Sequence, residues 1–100
     1  MNKNYEEIVK VEILESGELQ LVLGSGGKAH YQYVYREARG VHWDNIAGAF
    51  KSTERLKWTY AEWFAHILEV CASIGIDLRL AKKPEWIKIT DSDRKAILAS

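Results

Sequence analysis

The stretch TYAEWFAHILEVCASIGIDLRL, residues 59–80, changes its hydrophobic period once, and that change decides the fold class. Tyr60, Trp63, Phe64, Ile67, Leu68, Cys71 and Ile74 recur at three- and four-residue spacing, the wide apolar stripe of an amphipathic helix. Thr59 and Glu62 form a [ST]-x-x-[DE] capping box at its start, and Gly75 stands where it should end. Beyond Gly75 the period falls to two. Ile76, Leu78 and Leu80 alternate with Asp77 and Arg79, as a half-buried strand requires. A helix over about residues 60–74 that runs into a strand needs a sheet to cover, and the rest of the chain has to supply it.

The N-terminal part reads as a β-hairpin. Val9, Val11 and Ile13 alternate with Lys10 and Glu12, and Leu19, Leu21 and Leu23 repeat the alternation. A two-residue Ser16-Gly17 loop would pair Ile13 with Gln20 and mix the faces. A three-residue loop, Glu15-Ser16-Gly17, pairs Ile13 with Leu19, Val11 with Leu21 and Val9 with Leu23, and puts Gly17 at the left-handed position, so it is preferred. Gly24-Ser25-Gly26-Gly27 then breaks the strand. Residues 29–39 read two ways. Tyr31, Val34, Tyr35 and Ala38 have helical spacing with Gly40 as a C-terminal cap, whereas Tyr31, Tyr33 and Tyr35 alternate like a strand; the helix is preferred.

Val41 to Asp44 and Ala49 to Thr53 read as short strands around Asn45-Ile46-Ala47-Gly48, with a short helix through Ile46 and Phe50 as the alternative. Past Leu80, Pro84 interrupts and Trp86 to Thr90 forms a further short strand. Thr90 and Asp93 repeat the capping pattern before a brief helix, Arg94 to Ala99. Strands and helices mix without a βαβ alternation. The fold class is therefore α+β: an antiparallel or mixed sheet begun by the hairpin, packed by the main helix and one or two shorter ones, with residues 1–100 as one domain.

Bulk composition excludes several function classes. Apolar residues at 47% and charged residues at 28% are ordinary globular values. Net charge is zero. The first twenty residues hold five glutamates against two lysines, and Arg79 to Lys95 hold six basic residues against three acidic ones. That asymmetry is too weak for an electrostatic footprint on nucleic acid, but it does not oppose self-association. One cysteine, Cys71, forbids an internal disulfide and fits a reducing compartment. The N-terminal residues lack the apolar core of a signal peptide, and no apolar run approaches the roughly 20 residues of a membrane helix. A cytoplasmic protein without a membrane partner is expected.

Chemical motifs are sparse. Gly24-x-Gly26-x-x-Ala29 matches a variant of the dinucleotide fingerprint, yet it follows the second strand of a hairpin, so a plain turn is the better reading. His42 and Asp44 share one side of a strand and are the weak catalytic candidates, a general base beside an orienting carboxylate. His66 lies with Glu62 and Glu69 on a solvated helix face, and His30 stands alone. Neither a metal nor a cofactor is expected. Cys71 sits on the apolar stripe as a small inert hydrophobe. Lys82, Lys83 and Lys88 flank Trp86, but a single-strand binding track needs more basic length and more stacking surface.

The remaining signal is aromatic. Nine of the eleven aromatic residues lie between Tyr31 and Phe64. Tyr35, Trp43, Phe50 and Phe64 are expected to fill the core between helix and sheet. Tyr31, Tyr33, Trp58, Tyr60 and Trp63 exceed what that core needs and are the candidate ligand or interface residues.

The run Tyr35-Arg36-Glu37-Ala38, Gly40-Val41, Trp43-Asp44, Phe50, Trp63-Phe64 and His66-Ile67 resembles the small orphan α+β proteins encoded by mobile integron gene cassettes. The similarity covers about half the chain, Tyr31 to Ile67, and rests on aromatic spacing. It implies an uncharacterised protein, often a homo-oligomer and sometimes with a pocket, and it supplies no catalytic residues. The expected function is a homo-oligomeric binding or interaction module whose surplus aromatics form a subunit interface or a cleft for a small apolar or aromatic ligand. The alternatives are a small enzyme using His42 and Asp44, and a nucleic-acid-associated regulator using Lys82, Lys83, Trp86 and Lys88.

Overall fold

The computed structural model describes residues 4–36, 40–52 and 58–99. Strands β1 (Asn4–Ile13), β2 (Leu19–Leu23), β3 (Val41–Asp44), β4 (Ala49–Ser52) and β5 (Ile76–Ile87) form one sheet in the order β3-β4-β2-β1-β5. All neighbours are antiparallel except β1 and β5, which run parallel, so the sheet is mixed. A 3-10 helix (Ala29–Arg36) precedes β3, α1 (Tyr60–Ser73) links β4 to β5, and α2 (Asp91–Ala99) follows β5. The α+β architecture begun by a hairpin is the one the sequence predicts.

The hairpin register follows the three-residue loop. Ile13 pairs with Leu19 and Val11 with Leu21, the Leu14 amide donates to the Glu18 carbonyl at 2.9 Å, and Gly17 has φ +93°. The third expected pair does not form. A bulge at Val9 pairs Ile8, not Val9, with Leu23. The extra residue resets the alternation, so Ile8 and Val11 both point inward and are fully buried while Val9 is half-buried.

Pro84 does not end β5, contrary to the expectation of two separate strands. β1 and β5 are in register up to Ile8–Leu80 and again from Lys10–Glu85, so Ala81 to Pro84 lie outside the ladder, opposite Val9. A proline has no ladder hydrogen bond to give, and the irregularity is where none is asked of it. The strand ends at Ile87, because Lys88 adopts a left-handed backbone with φ +57°.

The segment after the glycines is helical, as preferred, but its turns are 3-10. Three residues per turn align Tyr31 with Val34, both fully buried, and turn Tyr33 outward. α1 starts on a complete capping box: the Glu62 amide donates to Thr59 Oγ1 at 3.1 Å and the Thr59 amide to Glu62 Oε1 at 2.8 Å. Its stripe buries Trp63, Phe64, Ile67, Val70 and Cys71. α2 begins at Asp91, three residues before the expected Arg94, with the Asp93 amide donating to Thr90 Oγ1 at 3.1 Å. Ile97 anchors α2 in the one hydrophobic core that joins sheet, 3-10 helix and α1. β3 and β4 match the expected strands as far as Ser52, and Thr53 lies outside the described residues. No described helix is long and apolar enough to cross a membrane.

Candidate functional site

The surplus aromatics do not behave alike. Trp43, Phe50 and Phe64 are buried as expected, and the side chain of Tyr35 lies outside those described. Tyr31 and Trp63, read as surplus, are core residues instead, at 0% and 4% exposure. Tyr31 is buried because the 3-10 helix lays it over the sheet. Its ring meets Trp43 edge-on at 5.4 Å and Phe50 at 5.6 Å, and Trp43 meets Phe50 at 4.8 Å. Such offset and edge-to-face contacts satisfy the ring quadrupoles. Tyr60 is half-buried, and its hydroxyl donates to the Gly17 carbonyl at 3.0 Å, tying the start of α1 to the hairpin loop. Tyr33 and Trp58 stay exposed, at 46% and 38%.

A buried carboxylate explains why Tyr31 is a tyrosine. Glu6 faces the core from β1 and is 6% exposed. Its oxygens accept from the Tyr31 hydroxyl at 2.5 Å and the Ser25 hydroxyl at 2.6 Å, both in the range of short charge-assisted bonds. Burial, then this carboxylate, raises the Tyr31 pKa far above its ordinary value. Ser25 Oγ also accepts from the Gly27 amide at 3.0 Å. The glycine turn is thus bonded to a carboxylate and leads into a 3-10 helix, an arrangement that suits a packed turn and not a phosphate cradle.

His42 and Asp44 do share the side of β3 facing away from Val41 and Trp43. No hydrogen bond joins them. Asp44 accepts from the Ile46 and Ala47 amides at 2.9 and 3.1 Å and pairs with Lys51 at 2.7 Å. The Lys51 bond and the turn amide of Ala47 hold its pKa down at about 2. Nδ1 of His42 is sheltered and has no hydrogen-bond partner among the described residues. The carboxylate caps a turn and does not orient the imidazole.

Among the described residues, no group of three or more His, Cys, Asp or Glu side chains is placed to hold a metal ion. Cys71 is fully buried, and desolvation pushes its thiol up from 9.0 to about 12, which leaves no thiolate for nucleophilic chemistry at neutral pH. This shift has a testable sign. The unfolded thiol loses its proton near pH 9 while the folded one keeps it, so the thiol's contribution is intact below pH 9 and lost as pH rises towards 12. By pH 10 the loss is about 1.4 kcal/mol. Urea melts of the wild type and Cys71→Ala from pH 8 to 10 should show a steeper alkaline decline for the wild type. Parallel curves would refute it.

What remains at the surface is an aromatic group at the start of α1. Trp58 lies just before the capping threonine, and its ring meets Trp63 at 4.8 Å and His66 at 4.9 Å, with Trp63 and His66 5.8 Å apart. All three contacts are steeply inclined, at 61°, 70° and 71°. His66 therefore belongs to an aromatic cluster and is half-buried, not placed on a purely solvated face. Its spacing of three from Trp63 was the available signal, outweighed by the flanking glutamates. Trp63 and His66 both pack edge-on against the Trp58 indole, which stays 38% exposed. That geometry suits docking; it assembles no acid, base and nucleophile.

The family model for Integron Cassette Protein Hfx_Cass5 matches residues 6–83. A solved structure from the mobile metagenome of the North West Arm sewage outfall, Integron Cassette Protein Hfx_Cass5, is 24% identical to this chain. The match covers 99% of this chain and 95% of the other, with a TM-score of 0.43. No curated protein matches the chain. The family match runs from the buried glutamate of β1, through the aromatic cluster of α1, to Lys83 on β5. This chain belongs to the Hfx_Cass5 family of integron cassette proteins.

Proposed function

We propose that the protein is a homo-oligomeric binding module whose subunits meet through the aromatic surface at the start of α1, with Trp58 as the anchor. The observation that carries this reading is the exposed Trp58 indole, braced edge-on by Trp63 and His66. An indole that is already ordered loses little conformational freedom when a partner covers it, and tryptophan is enriched among the few residues that dominate interface energies. A zero net charge adds no long-range repulsion between copies.

Sedimentation equilibrium at micromolar concentration should show reversible association. Trp58→Ala should weaken it by about thirtyfold, the size of a strong interface residue, with the far-ultraviolet circular dichroism unchanged. A wild-type chain that sediments as a monomer would overturn the reading. A small aromatic ligand on the same rings is the other use of this surface. It would appear as a monomer whose melting temperature rises with an indole or phenol probe, an effect that Trp58→Ala abolishes.

A further inference from the structure

Residues of β5 and α2 line a cleft of about 260 Å³ that is open to solvent. Its β5 wall includes Ala81 to Pro84, the residues that lie outside the β1–β5 ladder, and its other wall comes from α2, which packs on α1. Bulges of this kind re-aim side chains next to functional sites. Pro84 and Trp86 from β5 and Leu98 from α2 provide apolar walls, and Lys82, Arg94 and Lys95 provide the charge. Among the described residues no carboxylate lines it. Among the described residues no ion pair forms to Lys82 or Lys95, while Arg94 reaches the exposed Asp91 at 3.9 Å, the outer limit of such a contact. Leu98 is 58% exposed, an apolar side chain held open beside the cations.

Lys82, Arg94 and Lys95 are exposed, and these three like charges around one apolar hollow repel one another across solvent. An anion turns that repulsion into attraction, and an arginine fork beside two point-charge lysines suits the oxygens of a phosphate or carboxylate. Trp86 packs one side against the core, which fixes the indole that faces the cavity. The volume lies below the roughly 300 Å³ at which pockets for drug-sized ligands begin, so the occupant is one ring or a short chain.

We propose that this cavity binds a small organic anion, its phosphate or carboxylate head among Lys82, Arg94 and Lys95 and its flat apolar body against Trp86 and Pro84. The site is remote in sequence from Trp58 and does not depend on self-association. It also gives Lys82, one of the three lysines that flank Trp86, a role that a short track cannot play for a polynucleotide. Only Lys82 and Arg94 to Lys95 converge, whereas Lys83 and Lys88 do not line the cavity.

Titration of the labelled protein with phenyl phosphate, followed by amide NMR, tests this. Saturable shifts should concentrate in residues 81–86 and 94–98. Inorganic phosphate and benzyl alcohol, which each lack one half of the ligand, should bind at least about tenfold more weakly. Lys95→Glu should cost about tenfold in affinity with the remaining spectrum unchanged, and Lys95→Gln serves if the reversal disturbs folding. Shifts spread over surface lysines, equal affinity for inorganic phosphate, or indifference to both Lys95 variants would overturn the proposal. So would an oligothymidylate that displaces phenyl phosphate with an affinity rising with its length. Each readout is independent of oligomeric state, so failure here leaves the Trp58 reading untouched.

Discussion

Gly27→Ala is expected to destabilise the fold by about 3 kcal/mol, a loss of roughly 15 °C in melting temperature for a domain of this size. Two effects add. Gly27 has φ +83°, where an L side chain costs about 1 kcal/mol or more. A β-carbon there would also collide with the Trp43 ring at Cη2 and Cζ2, with Tyr31 Cδ2 at 3.2 Å behind it. Trp43 cannot yield cheaply, because it is wedged against Tyr31 and Phe50, and overpacking a core typically costs another 1–3 kcal/mol, about 2 here. The neighbouring Gly26 separates the two effects. Its φ is +81°, but a β-carbon there meets nothing within 4 Å, so Gly26→Ala should cost about 1 kcal/mol. Equal losses for the two variants in denaturant melts would show that Trp43 does not fill the space above Gly27.

Tyr31→Phe should cost about 2 kcal/mol even though it removes a single oxygen. The phenol occupies one oxygen of a carboxylate that is almost entirely out of water, and the phenylalanine ring leaves that charge short of a donor. Glu6→Leu alone removes the acceptor of the buried Tyr31 hydroxyl instead, while the exposed Ser25 hydroxyl can turn to water. The double variant removes acceptor and donor together, so its loss should fall short of the summed single losses by about 1–2 kcal/mol. Strict additivity would mean that the hydrogen bond contributes nothing. Alkaline pH gives a second check. The folded phenol titrates above its ordinary value near 10, so its contribution is present below that pH and fades as pH rises past it. Tyr31→Phe should lack this component of the alkaline decline.

Much of the fold was legible because it follows from local periodicity and local hydrogen-bond chemistry. The α1 stripe, its Thr59–Glu62 box and the Glu15-Ser16-Gly17 loop each involve residues a few positions apart, and each forms as read. The Val9 bulge and the uninterrupted β5 were not legible. They depend on two strands about seventy residues apart falling out of register together, and neither strand carries that information alone. The candidate sites divide the same way. His42 and Asp44 alternate correctly, but Lys51 on the partner strand claims the aspartate. The cleft brings Lys82 together with Arg94, Lys95 and Leu98 across β5 and α2, elements that both pack on α1, and sequence shows no more than a basic excess in that region.

The sequence by itself determined the α+β class, the main helix with its cap, the hairpin loop, and that the aromatics between Tyr31 and Phe64 exceed an ordinary share, because propensity, capping and period act within a few residues. Tertiary structure decided which aromatics are core. Three residues per turn in the 3-10 helix send Tyr31 onto Trp43 and Phe50 and leave Tyr33 outside. Trp58 packs against the α1 rings of Trp63 and His66 and stays exposed, while Tyr60 is bonded to the hairpin loop. Burial is set by what packs above a residue, and in a mixed sheet those neighbours come from distant parts of the chain.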